Sequence, residues 1–326
     1  MKRWVVGMRD AFSDALYNLA KQDKDVILIT SDTGAICHNE FRQKFSAQYI
    51  NIGIAEQNMV GVAAGLAMSG KIVFIYGIVP FTTMRCYEQI RIALSCMNLP
   101  VTIVGVGAGL DYSTLGPTHH GYEDIALMNL LPNMSVYSPS DSLMAGFMVQ
   151  DCYKQPGPKY VRLDRRGVPL IYANAKQIDM RKGYTVLKEG SDGYIIATGR
   201  MVLTALAAAK ELSSASLDIG VIDLFRIKPL NKTRLWPVIN NARFLITLEE
   251  HFASCGIGSI LAQFLAENNA NIPFKAIGLD NAFCRKYGSR DYLLRLNNID
   301  ADNIVKSLRG WLKAVAGRKN ILALVD

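Results

Sequence analysis

An acidic residue stands between an apolar strand and a helix rich in small residues in the stretch from Tyr49 to Ala67, YINIGIAEQNMVGVAAGLA. The apolar run predicts a buried strand that ends before Glu56. The spacing of Gly61, Ala64 and Gly65 predicts a helix with small residues along one face. A carboxylate enclosed between such elements can exchange a proton with a bound ligand. Glu56 is therefore a candidate catalytic residue, although acids are also common in the first turn of helices without any catalytic role.

Two adjacent histidines, His119 and His120, lie in the segment STLGPTHHGYED, which follows the apolar strand VTIVGVG. Gly116 and Pro117 predict a turn, so the histidines are expected in a loop at the carboxyl edge of a sheet, where open α/β sheets bind ligands. Because the chain has only four histidines, a pair on one loop indicates a functional site. The alternative is that one of them caps the next helix or packs against it.

An aromatic side chain, Phe81, follows another predicted strand in the segment YGIVPFTTMRCYEQIRIAL. A ring in such a loop can stack on a flat ligand, which contributes about 0.5–1.5 kcal/mol beyond the burial of its area. Phenylalanine is also frequently buried in protein interiors, so the alternative is that Phe81 belongs to the core.

These residues are carried by a chain in which apolar strands and helical patterns alternate almost throughout. The alternation predicts the α/β class, with two domains that each contain a mainly parallel sheet with helices on both faces. We expect a first domain at residues 1–175 and a second at 183–326, joined by a polar connection between Arg165 and Gly183. The helices expected in the first domain span residues 8–22, 56–69, 84–96, 122–130 and 141–152.

The composition is that of an ordinary soluble protein, since 50% of the 326 residues are hydrophobic and 20% are charged. The N-terminal run MKRWVVGMRD turns polar too early for a signal peptide, and no apolar run has membrane-spanning length. The six cysteines include no CxxC pair and fit free thiols, so we expect a cytoplasmic protein. The net charge of +8 does not indicate nucleic-acid binding, because the lysines and arginines are interspersed with acids.

Two glycine motifs do not complete the sites that they suggest. The run GVGAG is followed by Leu110 where a dinucleotide fingerprint requires glycine. The tripeptide SDG at residues 191–193 is not followed by the asparagines of a diphosphate and metal motif, and a turn between strands explains it better. We therefore predict no metal site and no diphosphate site on this chain.

The segment IGIAEQNMVGVAAGLA closely resembles the pyrimidine-binding domain of transketolases and their relatives that use thiamine diphosphate (ThDP). In that family the glutamate of the AEQ run hydrogen-bonds the cofactor's aminopyrimidine ring, so the resemblance implies that Glu56 is both catalytic and cofactor-binding. The segment STLGPTHHGYED is similar to the GPTHQ loop of transketolases. This similarity implies that His119 hydrogen-bonds the donor substrate near its reacting carbon. His120 matches no family role, and we expect it to be structural.

The same resemblance assigns further residues to the cofactor and the substrate. It implies that Phe81 stacks on the aminopyrimidine, that Ile78 lines the cofactor site where transketolases often carry an aromatic residue, and that Asp32, in TSDTG, lies near the cofactor. Arg165, in KYVRLDRRGVP, and Arg9, in GMRDAFSD, match arginines that bind the terminal phosphate of a sugar. The alternative for each arginine is a surface position beside a neighbouring acid.

The resemblance covers nearly the full length, but some substrate contacts differ. A histidine and an acid that contact the sugar in other transketolases align with Gly107 and Leu115, and a serine of the phosphate site aligns with Ile36. The segment FLITLEEHFASCGIGSI looks like the EEH…GGLGS signature of the family's C-terminal domain. The resemblance is therefore specific for the family and predicts an altered substrate site.

The resemblance implies a split transketolase, because the family's catalytic unit also needs a domain that binds the diphosphate. This chain would be the C-terminal subunit, and a separate N-terminal subunit would carry the diphosphate site with Mg²⁺ or Ca²⁺. ThDP would be shared between the subunits of an α2β2 assembly. A two-carbon ketol unit would pass from a ketose, phosphorylated or not, to an aldose.

Three other functions stay open. The β subunit of a 2-oxoacid dehydrogenase E1 component shares the AEQ run but lacks the GPTHH loop. An enzyme like deoxyxylulose-phosphate synthase would take pyruvate as its donor. A non-catalytic assembly subunit would be expected to lose the catalytic acid, whereas Glu56 is present.

Overall fold

The computed structural model describes residues 6–213 and 217–319. The strands form two sheets and run in chain order as β1 (Val26–Thr30), β2 (Tyr49–Asn51), β3 (Ile72–Ile78), β4 (Val101–Val106), β5 (Ser135–Tyr137), β6 (Lys159–Leu163), β7 (Tyr184–Lys188), β8 (Gly193–Ala197), β9 (Ile219–Leu224), β10 (Arg226–Lys228), β11 (Phe244–Phe252) and β12 (Phe274–Leu279).

Helices separate most of these strands. They are α1 (Met8–Gln22), α2 (Asn39–Lys44), α3 (Glu56–Met68), α4 (Val79–Thr82), α5 (Tyr87–Gln89), α6 (Asp124–Leu130), α7 (Ser142–Lys154), α8 (Met201–Ser213), α9 (Lys232–Ile239), α10 (Ile257–Glu267), α11 (Arg290–Leu296) and α12 (Ala301–Lys319). Short 3-10 turns lie at Ile36–His38, Ser46–Gln48 and Ala175–Gln177. None of the helices in the described part of the chain is both long and apolar enough to cross a membrane.

The first sheet has the order β10-β5-β6-β4-β3-β1-β2, and β1 to β6 pair in parallel. Successive residues of β1 face opposite layers: Ile27 and Ile29 pack with α3, whereas Val26 and Leu28 pack with α1 and α7. Covering both faces explains why all residues of β1, β4 and β6 are buried. The predicted α/β class is confirmed.

The second sheet has the order β12-β11-β8-β9-β7, with β7 antiparallel to β9 and the other pairs parallel. One hydrophobic core runs without interruption from the α3 side of the first sheet to β8, β9 and α10 of the second. The strand β10 follows β9 directly but pairs antiparallel with β5, so a segment from the second half of the chain completes the first sheet. The two halves therefore share both a core and a sheet.

The helix predicted at residues 84–96 begins three residues later, at Tyr87. It runs from α5 directly into a π-helical segment at Ile90–Cys96, and residues 83–86 form a turn between α4 and α5. The backbone N–H groups of Met84 and Arg85 both donate to the carbonyl of Pro80, which closes α4 before this turn. The periodicity could not show the turn or the π-helical segment, because both depend on which carbonyl each N–H selects.

Candidate functional site

The carboxyl ends of five neighbouring strands carry nearly all of the predicted site residues. In the sheet order β6, β4, β3, β1 and β2, the segments that follow these strands contain Arg165, His119, Phe81, Asp32 and Glu56 respectively. Parallel strands place these ends along one edge, which is where such sheets bind ligands. The sheet thus brings together residues that lie more than a hundred positions apart in the chain.

Glu56 is the first residue of α3 and is 2% exposed. Both of its carboxylate oxygens accept hydrogen bonds from Nη1 of Arg85, each at 3.0 Å. The backbone carbonyl of Arg85 in turn accepts a bond from the Gln57 amide at 3.2 Å. Arg85 reaches Glu56 from the turn between α4 and α5, so the late start of the predicted helix forms part of the site. Gly61, Ala64 and Gly65 lie on one side of α3, with the two glycines exposed and Ala64 buried.

Phe81 joins the acid to the histidine loop. The guanidinium carbon of Arg85 lies 4.0 Å from the centroid of the Phe81 ring, a cation–π contact. On the same ring the imidazole of His119 makes an edge contact, with centroids 5.2 Å apart. Glu56, Arg85, Phe81 and His119 therefore form one continuous line of contacts. The alternative that Phe81 lies wholly within the core does not apply, because this residue is partly exposed.

The imidazole of His119 lies beside a hydroxyl group. Its Nδ1 lies 2.9 Å from the hydroxyl of Thr118. Burial, together with the charge of Arg85, lowers the pKa of His119, so the imidazole is neutral at pH 7. When Nδ1 accepts the Thr118 hydroxyl proton, Nε2 carries the ring proton and is free to donate it. The adjacent His120 is buried, and burial lowers its pKa to about 4.

Tyr112 contacts one of the two predicted phosphate arginines and is influenced by the charge of the other. The guanidinium carbon of Arg165 lies 4.6 Å from the Tyr112 ring centroid, and the charges of Arg165 and Arg9 both act to lower the pKa of that phenol, against a larger rise caused by burial. Arg9 also bonds Asp10 at 2.8 Å, and the backbone N–H of Arg165 donates to Asp111 at 2.6 Å.

The remaining predicted site residues, Asp32 and Ile78, lie at the same edge, and among the described residues neither forms a hydrogen bond or ion pair with Glu56. Asp32 has a positive φ of 52°, and it exchanges two hydrogen bonds of 3.1 Å with the side chain of Asn51. Ile78 is the last residue of β3, and its carbonyl accepts a hydrogen bond from the Thr82 hydroxyl at 3.1 Å. Their assignment to the cofactor stays a prediction.

A buried charge network fixes the edge of the sheet against the second half of the chain. Arg290 donates to Glu250 at 2.7 Å and lies 2.9 Å from Asp164, and all three side chains are buried. Arg162 donates to Asp124 at 2.8 Å and to the carbonyl of Glu250, also at 2.8 Å. Glu250 belongs to the EEH run, so this run links the halves of the chain.

Sequence reasoning missed Arg85 and Tyr112 as site residues. A signal for Arg85 existed, since a buried acid on a helix start requires a counter-charge and Arg85 stands four residues after Phe81. Nothing in the sequence alone indicates that the ring of Tyr112 approaches His119.

The chain is an α/β protein whose candidate ligand site lies at the carboxyl edge of a parallel sheet. This site combines a carboxylate, an aromatic ring and a neutral histidine, a combination suited to binding a cofactor. Family models agree with this: "Transketolase, pyrimidine binding domain" matches residues 5–169 and "Transketolase, C-terminal domain" matches residues 183–304. The chain belongs to the transketolase family.

Three relatives give the family more detail. The chain is 33% identical to an apulose-4-phosphate transketolase subunit of Phocaeicola vulgatus, over 95% of this chain and 98% of that protein. It is 32% identical to a 6-deoxy-6-sulfo-D-fructose transketolase subunit of Clostridium sp., over 96% and 95%. A solved structure described as a split-gene transketolase, inactive β4 tetramer, superimposes with a TM-score of 0.83 at 32% identity, covering 94% of this chain and 98% of that one. The prediction that the chain resembles the C-terminal subunit of a split transketolase is confirmed.

The residues at the site fit the aminopyrimidine of ThDP, on which the family depends. A flat, delocalised group, the Arg85 guanidinium, lies over the Phe81 ring and donates to Glu56. The ring and the carboxylate are thus disposed to hold a flat group that stacks and donates a hydrogen bond. Among the described residues, no group of three or more histidine, cysteine or acidic side chains is arranged to hold a metal ion.

Proposed function

We propose that this chain is the pyrimidine-binding, C-terminal subunit of a two-subunit transketolase that transfers a two-carbon ketol unit from a ketose or ketose phosphate to an aldose. The observation that supports this function is the line of contacts from Glu56 through Arg85 and Phe81 to His119. Such a line provides a carboxylate, a stacking face and a hydrogen-bond donor in the order that ketol transfer needs.

Each residue has a separate task in this proposal. Bound ThDP supplies the nucleophilic carbon. Glu56 accepts a hydrogen bond from the protonated ring nitrogen of the aminopyrimidine, and Phe81 stacks on that ring. Ile78 and Asp32 are assigned as further cofactor contacts. His119 donates from Nε2 to the substrate oxygens, where preorganised donors stabilise developing charge. Arg165 and Arg9 hold the anionic end of the substrate.

A partner subunit completes the site in this proposal. An N-terminal subunit would carry the diphosphate and its Mg²⁺ or Ca²⁺, and two copies of each chain would form an α2β2 assembly. The names of the relatives support this arrangement, because two of them are described as subunits of transketolases and the solved structure is of a split-gene enzyme. We assign the assembly to cytoplasmic carbohydrate metabolism, in keeping with six free cysteines.

The first prediction concerns Glu56→Gln in the complex obtained by gentle purification of the tagged chain from its native host. We expect turnover to be abolished, because the amide cannot hold the ring-nitrogen proton. The matched control is Glu88→Gln, an exposed acid on α5. Ketol transfer is measured at saturating ThDP, with thermal unfolding as a check of folding.

Near wild-type turnover by Glu56→Gln would contradict the role of Glu56. Recovery of the chain alone, without a second chain and without ThDP binding, would favour an assembly role instead. Comparing pyruvate and other 2-oxoacids with ketose donors in the same complex separates the transketolase from the two other ThDP enzymes considered from the sequence.

A further inference from the structure

The ring of Tyr112 occupies space that only a glycine leaves open. Gly107 has a φ of +94°, and a Cβ added there would lie 2.2 Å from Cε2 of Tyr112. Any other residue would therefore be strained and would also expel the ring. The other two positions at which substrate contacts differ from the family, Leu115 and Ile36, are exposed at 46% and 78%.

Tyr112 contacts residues at both ends of the proposed substrate site. Its ring centroid is 5.8 Å from that of His119, and the guanidinium carbon of Arg165 lies 4.6 Å from the same centroid. Arg9 is a second cation close enough to act on the phenol. A substrate that reaches from His119 to Arg165 therefore comes close to Tyr112.

The hydroxyl of Tyr112 is free to form a hydrogen bond with a ligand. Among the described residues it makes no hydrogen bond, and its oxygen is not one of the buried polar atoms without a partner. Burial raises the pKa of Tyr112, so the hydroxyl is neutral at pH 7 and both donates and accepts. The side chain is half-buried, so its ring is held while its oxygen meets solvent.

We propose that Tyr112, seated on Gly107, is a specificity-determining residue that hydrogen-bonds the hydroxyl-bearing middle of an anionic sugar held between His119 and the arginines. This inference rests on the proposed function for the reacting end at His119. It adds what the middle of the substrate must carry: a free hydroxyl between the reacting carbonyl and the terminal anion.

The test compares Tyr112→Phe with Tyr153→Phe in the purified complex. Tyr153 lies on α7, distant from the proposed substrate site. It is also half-buried, and its hydroxyl donates a hydrogen bond to Asp23 at 2.9 Å. Calorimetry measures binding of D-ribose 5-phosphate, D-xylulose 5-phosphate and D-fructose 6-phosphate, and of the three sugars without phosphate. We expect Tyr112→Phe to weaken binding about 2- to 10-fold, as for one neutral hydrogen bond, with and without the phosphate. Tyr153→Phe should bind as the wild type does.

A second variant and a second readout keep the test decisive. Arg165→Ala should remove the preference for the phosphate ester, which Tyr112→Phe should leave intact. Gly107→Ala keeps the tyrosine in the sequence but displaces its ring, and it should weaken binding at least as much. Binding by Tyr112→Phe equal to that of the wild type, or no binding of any of these sugars by the wild type, would overturn the inference.

Ketol transfer by the same variants separates this inference from the proposed function. Tyr112→Phe should raise KM about 2- to 10-fold while kcat stays close to that of the wild type. Ketol transfer with an unchanged KM would defeat the role of Tyr112 alone. Sugar binding that responds to Tyr112→Phe in a complex without ketol transfer would defeat the proposed function alone.

Discussion

Arg85 is the counter-charge of a carboxylate that is almost completely buried. Its own side chain is 42% exposed, whereas that of Glu56 is 2% exposed. Replacing Arg85 by methionine keeps the length of the side chain but leaves Glu56 without a donor, so we expect a loss of about 1–3 kcal/mol in the free energy of unfolding. Urea unfolding of the isolated chain measures this loss.

The matched control is the double variant Arg85→Met with Glu56→Gln. Because the glutamine carries no charge that needs compensation, the double variant should lose less stability than the two single variants together. Additive losses would show that the bonds at 3.0 Å between Arg85 and Glu56 do not couple the two side chains in solution.

The candidate site residues could be predicted from the sequence, but the residues that contact them could not. Glu56, Phe81 and His119 were predicted as site residues because an acid after a strand, a loop aromatic and a loop histidine are visible in the sequence. The contact between Arg85 and Phe81 depends on the turn between α4 and α5, and the position of Tyr112 depends on the absence of a side chain at Gly107. Both are three-dimensional facts that no local pattern encodes.

The start of α10 depends on a carboxylate from the preceding strand. Glu249, in β11, accepts hydrogen bonds from the backbone N–H groups of Ile257 at 2.8 Å and Gly258 at 2.9 Å. Gly256 makes this possible, since a Cβ there would lie 1.7 Å from a Glu249 oxygen. Glu249 therefore caps a helix whose own N-cap residue has no side chain.

We predict that Gly256→Ala destabilises the chain by about 1–3 kcal/mol, because it displaces the Glu249 carboxylate and leaves two buried donors unpaired. The control is Gly310→Ala in α12, where an added Cβ would have nothing within 4 Å. That substitution should stabilise the helix by about 0.5–1 kcal/mol. Thermal unfolding of both variants makes the comparison, and an equal effect of the two would contradict the capping role.

Long, regular elements were the most predictable ones. The helix predicted at residues 8–22 spans Met8–Gln22, because its apolar residues repeat at the helical period over four turns. The strands β7 and β10 were not predicted. The second has only three residues, and its pairing with β5 comes from tertiary contact. Short elements carry too little periodicity to be separated from loops.

At the scale of the whole molecule, Arg290 is the cation that compensates acids from both halves of the chain. Burial raises the pKa of Asp164 to about 6, while Arg290 acts to lower it. A carboxyl group with a raised pKa in the folded state stabilises the fold below its ordinary pKa near 4. That contribution is lost as the pH rises through 6.

We predict that Arg290→Leu destabilises the chain by about 3–5 kcal/mol at pH 7, because Glu250 and Asp164 stay buried without their cation. Without Arg290 the pKa of Asp164 rises further, so the difference from the wild type should be larger at pH 8 than at pH 5. Urea unfolding at both pH values measures it, with the exposed Arg285→Leu as control. A difference independent of pH would show that Asp164 does not sense Arg290.

The two-domain organisation followed from strand and helix alternation, but the joining of the domains did not. Besides the shared core and strand β10, buried charged residues join the domains: the Arg162 side chain donates to the backbone carbonyl of Glu250, 88 positions away. In the sequence alone, charged residues that are buried at such a junction cannot be distinguished from ordinary surface residues.

The strand β10 limits how this gene can be cut or recombined. A fragment ending near residue 175 would expose β5 as an unpaired edge, the kind of surface that recruits other chains into aggregates. It would also lose Lys228, whose amino group donates to the carbonyls of Asn129 and Leu131 at 2.7 and 2.6 Å. A chimaera that exchanges the second half with that of a relative must therefore match the incoming Arg226–Lys228 segment to the resident β5 edge. The two halves of the chain should therefore be kept together or exchanged together.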